Sequence, residues 1–218
     1  MTIENRLATI TLGLGLPLIS FASLHLLHPP GQPEHMTDPQ IARWAESGAH
    51  QLWLGASLAL LTVFLLLVWG WVVVERLRAW QAPAMLRTVA NHSVVVVAAV
   101  VALASIVQVT AAVIATPGEH VSSATLLPVL TLLGGNINVA AWCLLAPVGI
   151  AVAASAGAPR WLRITAGLLG AALALSVALP FVSWAFGFLL VLVVTVPTAD
   201  ARVTGSTPAG RTAVSHAG

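Results

Sequence analysis

The sequence predicts an all-α, polytopic membrane helix bundle. It has six transmembrane helices, both termini on the cytoplasmic side and a short amphipathic helix in the first outer loop. Three observations carry that prediction. The composition is 58% hydrophobic and only 7% charged, apolar runs reach spanning length, and the arginines occupy alternate gaps between those runs. A soluble domain surrounds itself with a charged shell of roughly a quarter of its residues, which this chain lacks.

A helix needs about 20 mostly apolar residues to cross roughly 30 Å of hydrocarbon. Six blocks meet or approach that length: 7–27, 51–74, 89–115, 124–154, 162–179 and 181–196. The last two divide one apolar stretch that is too long for a single span and short for two. Pro180 lacks an amide proton and disfavours helix at Leu179, which predicts a turn there. A cleaved signal peptide is the alternative for the first block, with Ser20-Phe21-Ala22 as a small-x-small site. Against it, Glu4 offsets Arg6 and the apolar run continues to Leu27, so a retained span is expected.

Orientation follows from the arginines, since the chain has no lysine. Arg6 precedes the first block, and Arg76, Arg78 and Arg87 separate the second from the third. Arg160 and Arg163 stand at the entry to the fifth, and Arg202 and Arg211 follow the sixth. Only Arg43 falls in a gap of the other parity. Short loops rich in Lys and Arg stay cytoplasmic, so both termini are expected inside and the loops at 28–50, 117–123 and Pro180 outside. A five-span reading would put Arg202 and Arg211 outside. Tryptophans agree as interfacial belts, with Trp69, Trp71, Trp80 and Trp161 near the inner boundary and Trp44 and Trp53 near the outer. Residues 1–197 then form a single bundle, and 198–218, rich in Gly, Ser, Thr, Pro and Ala, form a disordered cytoplasmic tail.

The first outer loop opens with His28-Pro29-Pro30-Gly31, which breaks the first helix. Asp38 is expected to cap a short helix with Pro39 in its first position. Ile41, Trp44 and Ala45 share one face, and Arg43 and Glu46 are neighbours at i, i+3. Such a helix either lies at the interface, the preferred reading, or acts as a lid over the bundle mouth. Ala82-Pro83-Ala84-Met85-Leu86-Arg87-Thr88-Val89-Ala90 matches Ala158-Pro159-Arg160-Trp161-Leu162-Arg163-Ile164-Thr165-Ala166 as A-P-x-x-L-R-x-x-A. A duplicated hairpin would leave this trace, but so would the shared needs of any cytoplasmic helix entry.

Several function classes are excluded. Cys143 is alone, so there is no internal disulfide and no thiol–disulfide chemistry. Without lysine no retinal Schiff base can form. No Asp, Glu, Lys or Arg lies deep in a block, which argues against a carrier built on an intramembrane carboxylate. The same absence argues against a prenyl-diphosphate enzyme, which needs aspartates to hold magnesium. A pI near 10.0 fits contact with anionic lipid head groups rather than with nucleic acid.

The remaining polar residues are the candidates. His25 and His28 share a face on the last turn of the first span, His50 opens the second, His120 follows Glu119, and His35 lies near Glu34 and Asp38. His25, His28, His50 and His120 could supply a site for a divalent transition metal, with Glu46 beside them, since imidazole suits Zn, Cu, Ni and Fe. No diagnostic ligand spacing accompanies them, and interfacial histidines with no cofactor are the preferred reading. His25 and His50 are the one pair whose depths suit a haem. The same end supplies candidate acid–base groups in His25, His50 and Glu46. Gln108 lies about 10 Å below the outer end of its span. Asn136 and Asn138 follow Gly134-Gly135, which invites a kink or a close helix approach. Spaced two apart, the asparagines cannot share a face. Gln108, Asn136, Asn138 and Trp44 are the candidate ligand contacts, and His92 is a boundary residue.

The chain resembles the small six-helix integral membrane proteins of actinobacteria grouped as domains of unknown function. The likeness lies in the Pro-rich loop, the Asp38-x-x-Ile41-Ala42 helix, the second span beginning near His50, and the Ala158-Pro159-Arg160-Trp161-Leu162-Arg163 entry. It implies fold and membrane location and no catalytic residues. The function expected is the holding of a small apolar or lipid-like ligand, or of a partner, in an outer-facing bundle cavity. One alternative is a membrane isomerase, cyclase or hydrolase acting on a terpenoid, epoxide or lipid through His25, His50 and Glu46. Others are a permease with a neutral path through Gln108 and Asn136, and the histidine metal site. The expected partners are the bilayer and, through small-residue helix faces, a second copy.

Overall fold

The computed structural model describes residues 3–27, 37–115, 123–176 and 179–195. His28, His35, His120, the 117–122 segment and the expected tail lie outside the described residues. Within them every regular element is helical. The chain runs as α1 (Ile3–Leu27), α2 (Asp38–Ser47), α3 (Ala49–Ala79), α4 (Ala84–Ala115) and α5 (Ser123–Ala141). A 3₁₀ turn (Trp142–Leu145) follows, then α6 (Ala146–Ala153), α7 (Arg160–Leu175) and α8 (Pro180–Thr195). Three helical units among the described residues are long and apolar enough to cross a membrane: Ala49–Ala79, Ala84–Ala115 and Leu126–Ala153.

The α3–α4 hairpin is the centre of the bundle, with α1 against α3 and α5 against α4. A second layer of α6, α7 and α8 closes on the 3₁₀ turn and on α5. The largest fully buried side chains, Trp69 and Trp142, sit with Leu66, Leu145 and Leu162 in one core cluster. Leu27 on α1 packs over Gly55 on α3, and Ser23 Oγ donates to the Gly55 carbonyl at 2.8 Å.

The hairpin turn has a physical signature the sequence did not reveal. Gln81 adopts φ 57°, the left-handed region. Its N–H bonds the Arg78 carbonyl at 3.1 Å while the Ala82 N–H bonds that of Leu77 at 2.9 Å. This is a Schellman C-terminus with glutamine where glycine is usual. The turn is tied to the α6–α7 connection by Gly157 N–H, which donates to the Trp80 carbonyl at 2.8 Å. The two A-P-x-x-L-R entries therefore sit side by side, with Ala82 and Ala158 both buried. At the same end, Trp69 Nε1 donates to Thr195 Oγ1 at 3.0 Å and Arg76 reaches the Val194 carbonyl at 3.4 Å. Arg76, Arg78, Arg87, Arg160 and Arg163 thus share one end of the bundle, and His25, Arg43, Glu46 and His50 lie at the other.

The stretch read as one block over 124–154 is interrupted at residues 142–145. Pro147 has no amide proton to offer the Cys143 carbonyl, so that carbonyl instead accepts from Ala146 N–H and the chain tightens into a 3₁₀ turn. α5 runs on through Gly134-Gly135, and Gly134 serves a close approach to α4 at Gln108 and Ala104. The apolar stretch around Pro180 is divided as expected. α7 stops at Leu175, α8 starts on Pro180, and the hydroxyls of Ser176 and Ser183 lie 2.8 Å apart across the corner.

The cap of α2 falls one residue before the expected Asp38. Thr37 is the N-cap, and its N–H donates to Gln40 Oε1 at 2.8 Å. α2 rests on α5, α4 and the start of α3. Ala45 is completely buried there, in a cluster with Leu27, Leu52, Ala112, Ala115 and Leu127 and with Trp44 packed alongside. The helix is docked on the bundle end.

Candidate functional site

The histidine end offers little convergence. His25 is exposed and stacks on Phe21 one turn earlier, with ring centroids 6.3 Å apart and planes 8° from parallel. His50 is exposed at the start of α3, and Glu46 is exposed on α2. No group of three or more His, Cys, Asp or Glu able to hold a metal occurs among the described residues. Of the four histidines considered for a metal, His28 and His120 are outside them. His92 is exposed near the arginine end, its Nδ1 2.7 Å from the Thr88 carbonyl.

The interior is more specific. Gln108 is 1% exposed, and neither its Nε2 nor its Oε1 has a hydrogen-bond partner. It sits on the face of α4 that meets α5, with its Cγ 2.8 Å from where a Cβ on Gly134 would be. Neighbouring hydroxyls do not serve it: Ser105 donates to the Val101 carbonyl at 2.7 Å and Thr131 to that of Leu127 at 2.8 Å. The spacing of the two asparagines resolves as geometry requires. Asn138 is buried, one turn along α5 from Gly134, whereas Asn136 is exposed on the outside of the bundle. Gln108 and Asn138 therefore belong to the interior, Trp44 contributes to the docking of α2 above it, and Asn136 is separated from them.

Two further buried polar atoms lack a partner, and sequence reasoning missed both. They are Trp142 Nε1 and Trp184 Nε1. Trp142 lies one turn past Asn138 and meets Phe188 edge-on at 4.7 Å. Trp184 packs on Phe188 at 4.2 Å and on Phe21 at 5.6 Å. An aromatic series thus runs from His25 and Phe21 on α1, through α8, to Trp142. For Trp142 the signal in the sequence was its place inside an apolar block rather than at an end, where interfacial tryptophans collect; Trp184, near the start of its block, gave no such signal.

Chemically, this interior can hold and orient. Gln108 presents two donors and an acceptor, Asn138 the same, and each indole one donor. Compared with known proteins, the chain matches no family model, no curated protein and no solved structure.

Proposed function

We propose that the chain is a six-span membrane protein with both termini cytoplasmic, and that it works by binding. Its ligand is a small apolar or lipid-like molecule carrying one hydrogen-bonding group, anchored by Gln108 with Asn138 nearby, in the half of the bundle covered by α2. The span count is supported by lengths. α1 has 25 residues, about 37 Å at 1.5 Å per residue. α7 and α8 have 16 each, about 24 Å, which a locally thinned bilayer accommodates. The direction is supported by the gathering of the arginines at one end.

The observation that carries the binding reading is the Gln108 amide. In hydrocarbon an unsatisfied polar group costs several kcal/mol, and a leucine of similar size at this position would cost nothing of the kind. A carbonyl or hydroxyl on an otherwise apolar ligand would satisfy the amide and offset that cost. The neutral surroundings favour such a ligand over an ion.

The test is mass spectrometry of the solvent extract of purified protein, comparing wild type with Gln108→Leu. A small apolar molecule enriched over bulk lipid in the wild type and lost in the variant is the expected result. Identical extracts, with the variant the more heat-stable of the two, would overturn the reading.

A further inference from the structure

A second site lies at the arginine end, on the outside of the α3–α4 hairpin. There a groove of about 500 Å³ runs between the two helices. Arg78 and Arg87 stand at its mouth, Asn91 lies one turn deeper than Arg87, and Gly70, Trp71, Val94 and Val95 line its deeper part. Polarity falls steadily along the groove, from guanidinium groups at the helix ends to aliphatic surface about two turns deeper. We infer that this groove binds the phosphate head group of an anionic phospholipid, with the first part of an acyl chain along Trp71 and Val95.

Charge, depth and shape each support that occupant. Glu75 Oε1 takes one guanidinium, pairing with Arg78 at 2.7 Å. Among the described residues Arg87 has no ion-pair partner, so two arginines against one glutamate leave the mouth with one net positive charge. Thr88 is not a free donor, because its hydroxyl bonds the Ala84 carbonyl at 3.1 Å.

Depth follows from length. The 31 residues of α3 extend about 46 Å, against roughly 30 Å of hydrocarbon. Centred in the bilayer, the helix leaves about five residues beyond each hydrocarbon boundary. Arg78 then sits among the phosphates, with Arg87 facing it from the first turn of α4, while Gly70 remains in the hydrocarbon. Trp71 is 68% exposed and Val95 49%, apolar surface that a lipid chain covers and a free phosphate ion does not.

The inference rests on the membrane-spanning reading but not on the Gln108 ligand. Its test uses the full chain in nanodiscs of phosphatidylcholine with a minor fraction of phosphatidylglycerol, and native mass spectrometry of the lipids retained on release. The wild type should keep phosphatidylglycerol in preference to phosphatidylcholine. Arg87→Gln should reduce that preference about fivefold, the equivalent of ~1 kcal/mol per basic residue at the membrane surface. Val95→Trp fills the groove without altering charge and should also displace the lipid. Arg160→Gln removes a charge at the same end but outside the groove and should leave retention unchanged.

Equal retention of the two lipids by wild type overturns the site. So does an equal effect of Arg87→Gln and Arg160→Gln, which would mean diffuse attraction to the surface. Stabilisation of detergent-solubilised protein by inorganic phosphate alone, as strong as by phosphatidylglycerol, overturns the lipid as occupant. Failure of the chain to enter nanodiscs would instead count against the membrane reading itself.

Discussion

Gln108 on α4 lies across Gly134 on α5: a Cβ on Gly134 would stand 2.8 Å from Gln108 Cγ and 3.3 Å from the Ala104 carbonyl oxygen. The glycine is what lets a long polar side chain occupy the interface between two packed helices. The close approach and the buried amide are one feature. A side chain at 134 must displace either Gln108 or the helix backbone behind it.

Gly134→Val is therefore expected to destabilise the bundle by about 1–3 kcal/mol, the usual cost of overpacking. In combination with Gln108→Ala most of that cost should disappear, because the shortened side chain vacates the space. Thermal unfolding of the two single variants and the double variant in one detergent checks this. Additive effects would mean that the strain falls on the Ala104 carbonyl instead.

At the α3–α4 turn the left-handed Gln81 carries a steric cost of roughly 1–2 kcal/mol that glycine avoids. Its side chain is exposed, so little packing is lost on substitution. Gln81→Gly should raise the unfolding midpoint. The flexibility glycine gains in the unfolded chain trims the benefit, leaving a gain of up to about 1 kcal/mol. A lower midpoint would show that the Gln81 side chain makes a stabilising contact.

At the centre of the α2 docking contact is a small residue, the fully buried Ala45, with Trp44 beside it. Ala45→Glu would place a carboxylate against Leu52, Ala112 and Leu127. The desolvation cost should lift the helix from the bundle rather than unfold the whole chain. Hydrogen exchange should then accelerate in α2 while α3 and α4 keep their protection. Equal protection in the variant and the wild type would return α2 to the role of a helix lying free at the interface.

Apolar block length and proline placement made most of the helices legible in the sequence. The α7–α8 division was readable because Pro180 removes a donor at a fixed place. The break at Pro147 was not anticipated, because the apolar run continues through it and hydropathy has no period to disturb there. The α2 helix was visible from Thr37-Asp38-Pro39, but its cap was misplaced by one residue because Thr37 and Asp38 are both good caps and only Gln40 decides between them.

The candidate site was legible in part. Gln108 and the Asn136/Asn138 pair stood out as polar groups in apolar sequence, yet a spacing of two shows that the asparagines diverge without showing which one turns inward. His25 and His50 mark the opposite end of the bundle and carry no signal for the groove. That groove depends on two helices meeting as an antiparallel pair, with Gly70 facing Val94, and no local pattern encodes that.

The site assignments depend on which end of the bundle faces which compartment, and cysteine labelling measures that directly. In a Cys143→Ser background, single cysteines at the exposed positions Gln51 and Met85 would be probed with a membrane-impermeant maleimide, in intact cells and after permeabilisation. Gln51→Cys should react in intact cells, and Met85→Cys only once the membrane is opened. The reverse pattern, or reaction of both positions in intact cells, would contradict a spanning bundle with its arginine end inside.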